Sequence, residues 1–155
     1  MDSYIVQLDF SAAFDRVSHS GLLFKLRSID VGDSVLSFCR EFLSNRRQQV
    51  VVDGATSEWI PIVSGVPQGC VLGPLLYILY TSEMFELVEN RLYSYADDGS
   101  LLAVVHKPAD RPAVPANRAL ARIQEWCNHW CMILNPNKTK ALVVSGSSKL
   151  VNPVN

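Results

Sequence analysis

The chain has 155 residues, 48% hydrophobic and 19% charged, enough to bury one real core and far too apolar for an intrinsically disordered class. A formal net charge of -1 supplies no global basic field, so any hold on nucleic acid has to come from a local patch. Four cysteines without a CxxC pair or zinc spacing, no secretory signal, and a longest apolar run, "VLGPLLYILY" (71–80), about half of what a bilayer needs lead us to expect a reducing, intracellular setting and no membrane span.

Taken in order, "SYIVQLDF" (3–10) has the apolar, partly β-branched content of a buried strand and ends on Asp9 and Phe10. Residues 19–30 and 32–44 place Leu22, Leu23 and Leu26, then Val35, Leu36, Cys39, Phe42 and Leu43, at helical spacing on either side of Gly32. "QQVVVDGATSEWIPIV" (48–63) reads as a hairpin turning at Asp53-Gly54, and the loop "SGVPQG" leads into a helix over about 70–89, with Pro74 tolerated in its first turns. "RLYSYADDGSLLAVV" (91–105) sets Asp97 and Asp98 between two strand-like runs. Asp-Gly is a strong turn signal, so the pair belongs at a hairpin tip, either as plain turn residues or as cation ligands. A Pro-containing connector (107–115), an amphipathic helix over 116–133 and a last strand (139–145) follow, then a tail (146–155) with a disordered composition. Cys127 and Cys131, four apart on that helix, read as buried thiols, and His19, His106 and His129 share no ligand spacing.

Without the inserted helical pair and first hairpin, the order is strand, helix, hairpin, helix, strand. This predicts an α+β fold: a ferredoxin-like, split β-α-β antiparallel sheet with helices packed on one face. Such a sheet lays the first strand beside the central hairpin, so Asp9 can approach Asp97 and Asp98. Converging carboxylates repel one another unless a cation sits among them, and hard oxygen ligands completed by water and phosphate suit Mg2+. Two such ions about 3.5 to 4 Å apart can clamp the attacking and leaving oxygens of a phosphoryl transfer.

The segments "LDFSAAFDRVSH" (8–19), "SGVPQGCVLGPLL" (64–76), "YADD" (95–98) and "LNPNKTK" (134–140), in this order, resemble the palm of reverse transcriptases. They look most like those of retrotransposons without long terminal repeats, and the resemblance runs from about residue 3 to residue 145. It implies an RNA-directed DNA polymerase working on an RNA template, a DNA primer and deoxynucleoside triphosphates, with two Mg2+ ions for which Mn2+ substitutes. Asp9 and Asp97 then correspond to the metal-bridging carboxylates, Asp98 to their supporting partner, and the Phe10 carbonyl to a further metal ligand. Phe14 corresponds to the wall under the incoming sugar, where an aromatic ring leaves no room for a 2′-hydroxyl. Gln68 and Gly69 line the nucleotide pocket, Gly65 and Gly73 allow close approach or serve turn geometry, and Lys138 serves the departing pyrophosphate. Asp15, six residues beyond Asp9, reads as a turn or helix cap as readily as a ligand and is kept out of the metal set, and Arg46 and Arg47 read as an exposed strand edge able to grip phosphate. The palm is expected at 1–145, and fingers and thumb, which the resemblance places around it, are not expected in this sequence. On this reading, the isolated palm binds nucleic acid weakly. Two other classes share such a sheet: a metal-dependent nuclease or nucleotidyl cyclase, and a retrotransposon-derived relic that keeps the fold as an interaction domain without activity.

Overall fold

The computed structural model describes residues 2–89, 91–95, 98–104 and 114–145. In chain order its elements are β1 (Asp2–Leu8), α1 (His19–Ser28), α2 (Asp33–Leu43), β2 (Arg47–Gln48), β3 (Val51–Val52), β4 (Ala55–Thr56), β5 (Ile60–Pro61), α3 (Leu72–Thr81), β6 (Arg91–Tyr95), β7 (Asp98–Val104), α4 (Val114–His129) and β8 (Lys140–Ser145). They form two compact units, Met1–Ala13 with Thr81–Asn155, and Phe14–Tyr80.

The first unit is built on a four-stranded sheet in the order β6-β7-β1-β8. Every neighbouring pair is antiparallel. The pleat sends alternate side chains to opposite faces. Val6 and Leu8 of β1 and Leu101 and Ala103 of β7 are therefore buried on one face. The register pairs Val6 with Leu101 and Leu8 with Gly99, so these residues form one layer. α4 packs against β7. Its Ala116, Ala119, Ile123, Trp126 and Cys127 fall three or four residues apart and are buried, the spacing of one helical face.

β1 stops at Leu8, two residues before the end that its composition suggests. Beyond it, Phe10 keeps only an isolated antiparallel bridge to Leu134, and Ala12 turns the chain with φ +49. The hairpin differs in its tip. β6 and β7 pair Tyr95 with Asp98, so Asp98 and Gly99 open the second strand instead of making the turn. A Cβ on Gly99 would lie 3.2 Å from Leu8 Cβ. The glycine thus serves close strand packing, not a left-handed turn. α4 ends at His129, and Cys131 lies beyond it, exposed, with φ +58, rather than on the helix.

In the second unit, Ser18 caps α1: its Oγ accepts from the Gly21 amide at 3.2 Å. α1 and α2 pack through Leu22, Leu26, Leu36, Cys39 and Leu43, all buried. Asp53 (φ +50) and Gly54 (φ +82) form the expected two-residue turn between Val52 and Ala55, the positive dihedrals of a hairpin turn that matches strand twist. The helix expected to reach residue 89 ends as α3 at Thr81 and gives way to a 3-10 turn, Ser82–Glu86. Near that end the buried Lys25 ammonium donates to the Tyr80 carbonyl, in the last turn of α3, where a cation complements the helix dipole. Among the described residues no helix is long and apolar enough to cross a membrane.

Candidate active site

In the first unit, Asp9 emerges from the central strand where the ladder to β7 ends. Its carbonyl accepts from the Asn135 amide at 2.8 Å, and the Ser11 amide donates to the Ile133 carbonyl at 2.8 Å. Two bonds flanking the Phe10–Leu134 bridge make that pair the non-hydrogen-bonded kind, so the Phe10 carbonyl is directed away from Leu134. The segment after Leu134 folds tightly on itself. Asn135 Oδ1 accepts from the Asn137 amide at 3.1 Å, and the Asn135 carbonyl takes both the amide and the hydroxyl of Thr139. This turn carries Lys138, whose ammonium lies 4.0 Å from Asp9 Oδ2.

An open groove of about 350 Å³ is lined by Gln7, Leu8, Asp9, Asp98, Lys138 and Lys140 among others. Three of the sequence-predicted residues, Asp9, Asp98 and Lys138, therefore meet in one place. Asp97 lies outside the described residues, and among those described no three His, Cys, Asp or Glu side chains converge as a metal site. Asp9 Oδ2 is buried and has no hydrogen-bond partner among the described residues. A buried carboxylate oxygen left without partners costs free energy, about 1 to 3 kcal/mol or more. The distant, largely exposed Lys138 ammonium compensates little of it. An unsatisfied hard oxygen beside a second carboxylate fits Mg2+ or Mn2+.

In the second unit, the loop "SGVPQG" is held against the turn that carries Phe14 and Asp15. Ser64 Oγ donates to the Asp15 carbonyl at 2.9 Å, the Val66 amide to the Phe14 carbonyl at 2.9 Å, and the Gly65 amide to the Val17 carbonyl at 2.8 Å. Gly65 has φ +87, and a Cβ there would sit 2.8 Å from Asp15 Cα. At Gly73 an added Cβ would strike the Pro67 carbonyl. Gly65 and Gly73 thus admit the chain's own backbone, whereas Gly69, with φ +77, has nothing within 4 Å and faces open space. Gln68 is exposed and donates to Asp15 Oδ1 at 3.1 Å. Phe14 is half-buried, its ring stacked on that of Tyr77 at 4.5 Å. A groove of about 460 Å³ runs past Asp15, Arg46, Gln48, Ser64, Gly65 and Gln68 among others.

Three residues named in the sequence make contacts here that it does not reveal. His19, which shares no ligand spacing, holds the Gly65 carbonyl through Nε2 at 2.8 Å. Arg46 is half-buried and donates to the same carbonyl at 3.3 Å, unlike the exposed edge residue expected from its hairpin. Asp15 meets Gln68 across 53 positions of sequence, which no local pattern reveals. Of the two thiols near the end of α4, Cys127 is buried as expected, and burial pushes it up to about 12. Cys131 is exposed.

The family model for reverse transcriptase (RNA-dependent DNA polymerase) matches residues 1–151. The RNA-directed DNA polymerase from mobile element jockey of Drosophila melanogaster is 36% identical over 139 residues, covering 84% of this chain and 15% of that protein. The probable RNA-directed DNA polymerase from transposon BS of the same species is 35% identical over 144 residues, 86% of this chain and 16% of that protein. The chain thus spans about a sixth of the length of these curated relatives. Among solved structures, apo telomerase from Candida tropicalis truncated from its C-terminal domain superposes with a TM-score of 0.65 at 17% identity, over 96% of this chain and 32% of the other. Telomerase from Candida albicans in complex with a TWJ fragment of telomeric RNA gives 0.66 at 16% identity, over 98% and 28%. At such identities the likeness is one of fold.

Proposed function

Because the chain belongs to the reverse transcriptase (RNA-dependent DNA polymerase) family, we propose that it is the palm of an RNA-directed DNA polymerase from a retrotransposon without long terminal repeats. It adds deoxynucleotides to a primer 3′ end on an RNA template. The observation that carries this reading is the buried, partnerless Asp9 Oδ2 at the mouth of a groove shared with Asp98 and Lys138. The β6-β7-β1-β8 order supports a ferredoxin-like, split β-α-β palm with helices on one face, and the helical pair and first hairpin as its insert.

Asp9, Asp97, Asp98 and the Phe10 carbonyl would hold two Mg2+ ions, for which Mn2+ would substitute. When bound, the ions supply charge neutralisation at the attacking and leaving oxygens of an in-line displacement. The chain's own residues do the rest. The Asp9 main chain is fixed by the bond from the Asn135 amide, so the point from which its carboxylate projects is set before a ligand arrives. Lys138, on a tight turn at the groove wall, neutralises or protonates the departing pyrophosphate. In the second unit, Phe14 is braced from behind by Tyr77 and offers its exposed part to the sugar, while Gln68 and Gly69 line the nucleotide pocket. RNA template, DNA primer and deoxynucleoside triphosphates are the partners this chemistry requires.

Primer extension on an RNA template with Mg2+, by the palm carried in a longer polypeptide, tests the proposal. Extension by the parent and none by Asp9→Asn is expected. Primer-independent cleavage or cyclisation would assign the carboxylates to another phosphoryl chemistry.

A further inference from the structure

Gln68 is exposed, and an exposed glutamine ordinarily samples many rotamers and both faces of its amide. Here one partner restricts that freedom. The Asp15 carboxylate can only accept hydrogen bonds, so at 3.1 Å it obliges Gln68 to turn its NH2 inward and its Oε1 outward. This follows from the chemistry of the pair and not from how the amide is drawn. The Asp15 turn is in its own turn fixed: Ser64 Oγ grips its carbonyl at 2.9 Å, and Gly65 lies so close to its backbone that a Cβ would not fit. On the far side of the loop, His19 and Arg46 both hold the Gly65 carbonyl. The loop is clamped from both sides.

We infer that Asp15 is the positioning residue for Gln68: it presents a fixed acceptor, Oε1, with one remaining N–H, to a nucleotide entering the groove. The inference rests on the nucleotide-pocket reading of Gln68 given above and adds to it the residue that sets the amide's orientation. It also gives Asp15 a task other than metal binding. A ligand group that both donates and accepts, such as a sugar hydroxyl, satisfies both outward positions at once.

The test is a titration of the 15N-labelled chain with dTTP and Mg2+, read by NMR at the Gln68 side-chain amide and at the Gly65 backbone amide. In the parent, one Gln68 side-chain N–H is shifted and slowed in exchange by the carboxylate. Asp15→Ala removes that signature and weakens dTTP binding about fivefold, the scale of one hydrogen bond's net worth. Asp15→Asn keeps the size of the side chain but accepts either face of the amide, and weakens binding by a smaller factor. If the Gly65 amide moves in Asp15→Ala, the Asn variant decides. Neither Asp15 variant adds to the effect of Gln68→Ala, because Asp15 acts through Gln68. Parental affinity in both Asp15 variants, or an equal loss in the Gln68→Ala background, overturns the inference while leaving the pocket intact. Absence of dTTP binding by the parent overturns the pocket reading and the inference together.

Discussion

Asp9 Oδ2 is a buried carboxylate oxygen with no hydrogen-bond partner among the described residues, a combination proteins seldom keep without a purpose. On the function proposed above, that purpose is to bind a cation together with Asp98, which lines the same groove. Mn2+ or Mg2+ should raise the melting temperature of the chain, because a ligand of the folded state alone adds about 2.7 kcal/mol at a hundredfold excess over Kd. Calorimetry of Asp9→Asn or Asp97→Asn should show most of that rise gone. The metal-free Asp9→Asn protein should be no less stable than the parent, since the substitution relieves carboxylate repulsion and gives up only a 4.0 Å contact with exposed Lys138. Identical melting of the parent with and without metal would show that no site forms. Phe14 makes a second residue-scale case. In a longer, active polypeptide, Phe14→Val should raise the ribonucleotide to deoxyribonucleotide ratio of kcat/KM about a hundredfold, because lifting a clash of about 3 kcal/mol is worth that much. It should also lower stability by about 1 to 3 kcal/mol, since the ring leaves Tyr77. An unchanged ratio would mean that the sugar is sensed elsewhere. The thiols give a simpler contrast. Iodoacetamide at pH 8 should label exposed Cys131 and spare Cys127, whose thiolate is suppressed by burial. The same shift means that the stability Cys127 contributes is complete below 9.0 and is lost as pH rises toward about 12, where the unfolded chain releases a proton that the folded one keeps.

Two elements show glycine doing different work. At the β3–β4 turn, Gly54 has φ +82 and open space around it, so Gly54→Ala should cost about 1 kcal/mol of backbone strain and leave metal binding unchanged. In β7, Gly99 faces Leu8 at a distance that leaves little room for a methyl group. Gly99→Ala should cost about 1 to 3 kcal/mol by overpacking. Because Leu8 precedes Asp9, it should also weaken Mn2+ binding. Urea denaturation with and without Mn2+ separates the two outcomes, and equal metal responses in both variants would mean that strand spacing does not govern the site. The same dipeptide type, Asp-Gly, thus turns a chain at 53–54 and opens a strand at 98–99.

At the scale of the molecule, the grooves are open, and phosphoryl transfer depends on holding two reactants in line. The 155 residues alone should extend a primer at least about a hundredfold more slowly than the same palm flanked by the further sequence its longer relatives carry. Binding of a primer-template by the chain should be weak and fall steeply with salt, since phosphate contacts govern it and the net charge is -1. Gel-shift and extension assays of the two forms decide this. Comparable rates would show that the palm positions primer and triphosphate unaided.

What the sequence by itself determined is what local chemistry encodes. The period-two runs of β1 and β7, the helical spacing of Leu22, Leu26, Leu36 and Leu43, the Asp53-Gly54 turn and the order of four motifs all depend on neighbours within a few residues. The place of the first strand beside the hairpin followed as well, since a right-handed crossover returns it there. Tertiary structure decided the rest. β1 stops at Leu8 because the pairing beyond it passes to Leu134, far away in the chain. α3 ends at Thr81, beside the Lys25 ammonium on Tyr80, a contact spanning 55 positions. The hydrophobic content promised a core, yet Val51, Val52, Trp59 and Val63 stand exposed, because burial is assigned by packing and not by residue type. The pairing of Asp15 with Gln68, the clamp of His19 and Arg46 on Gly65, and the lone oxygen of Asp9 arise from side chains that meet only once the backbone has folded. A hydrogen bond between residues 53 apart leaves no period, no spacing and no composition for a linear reading to find.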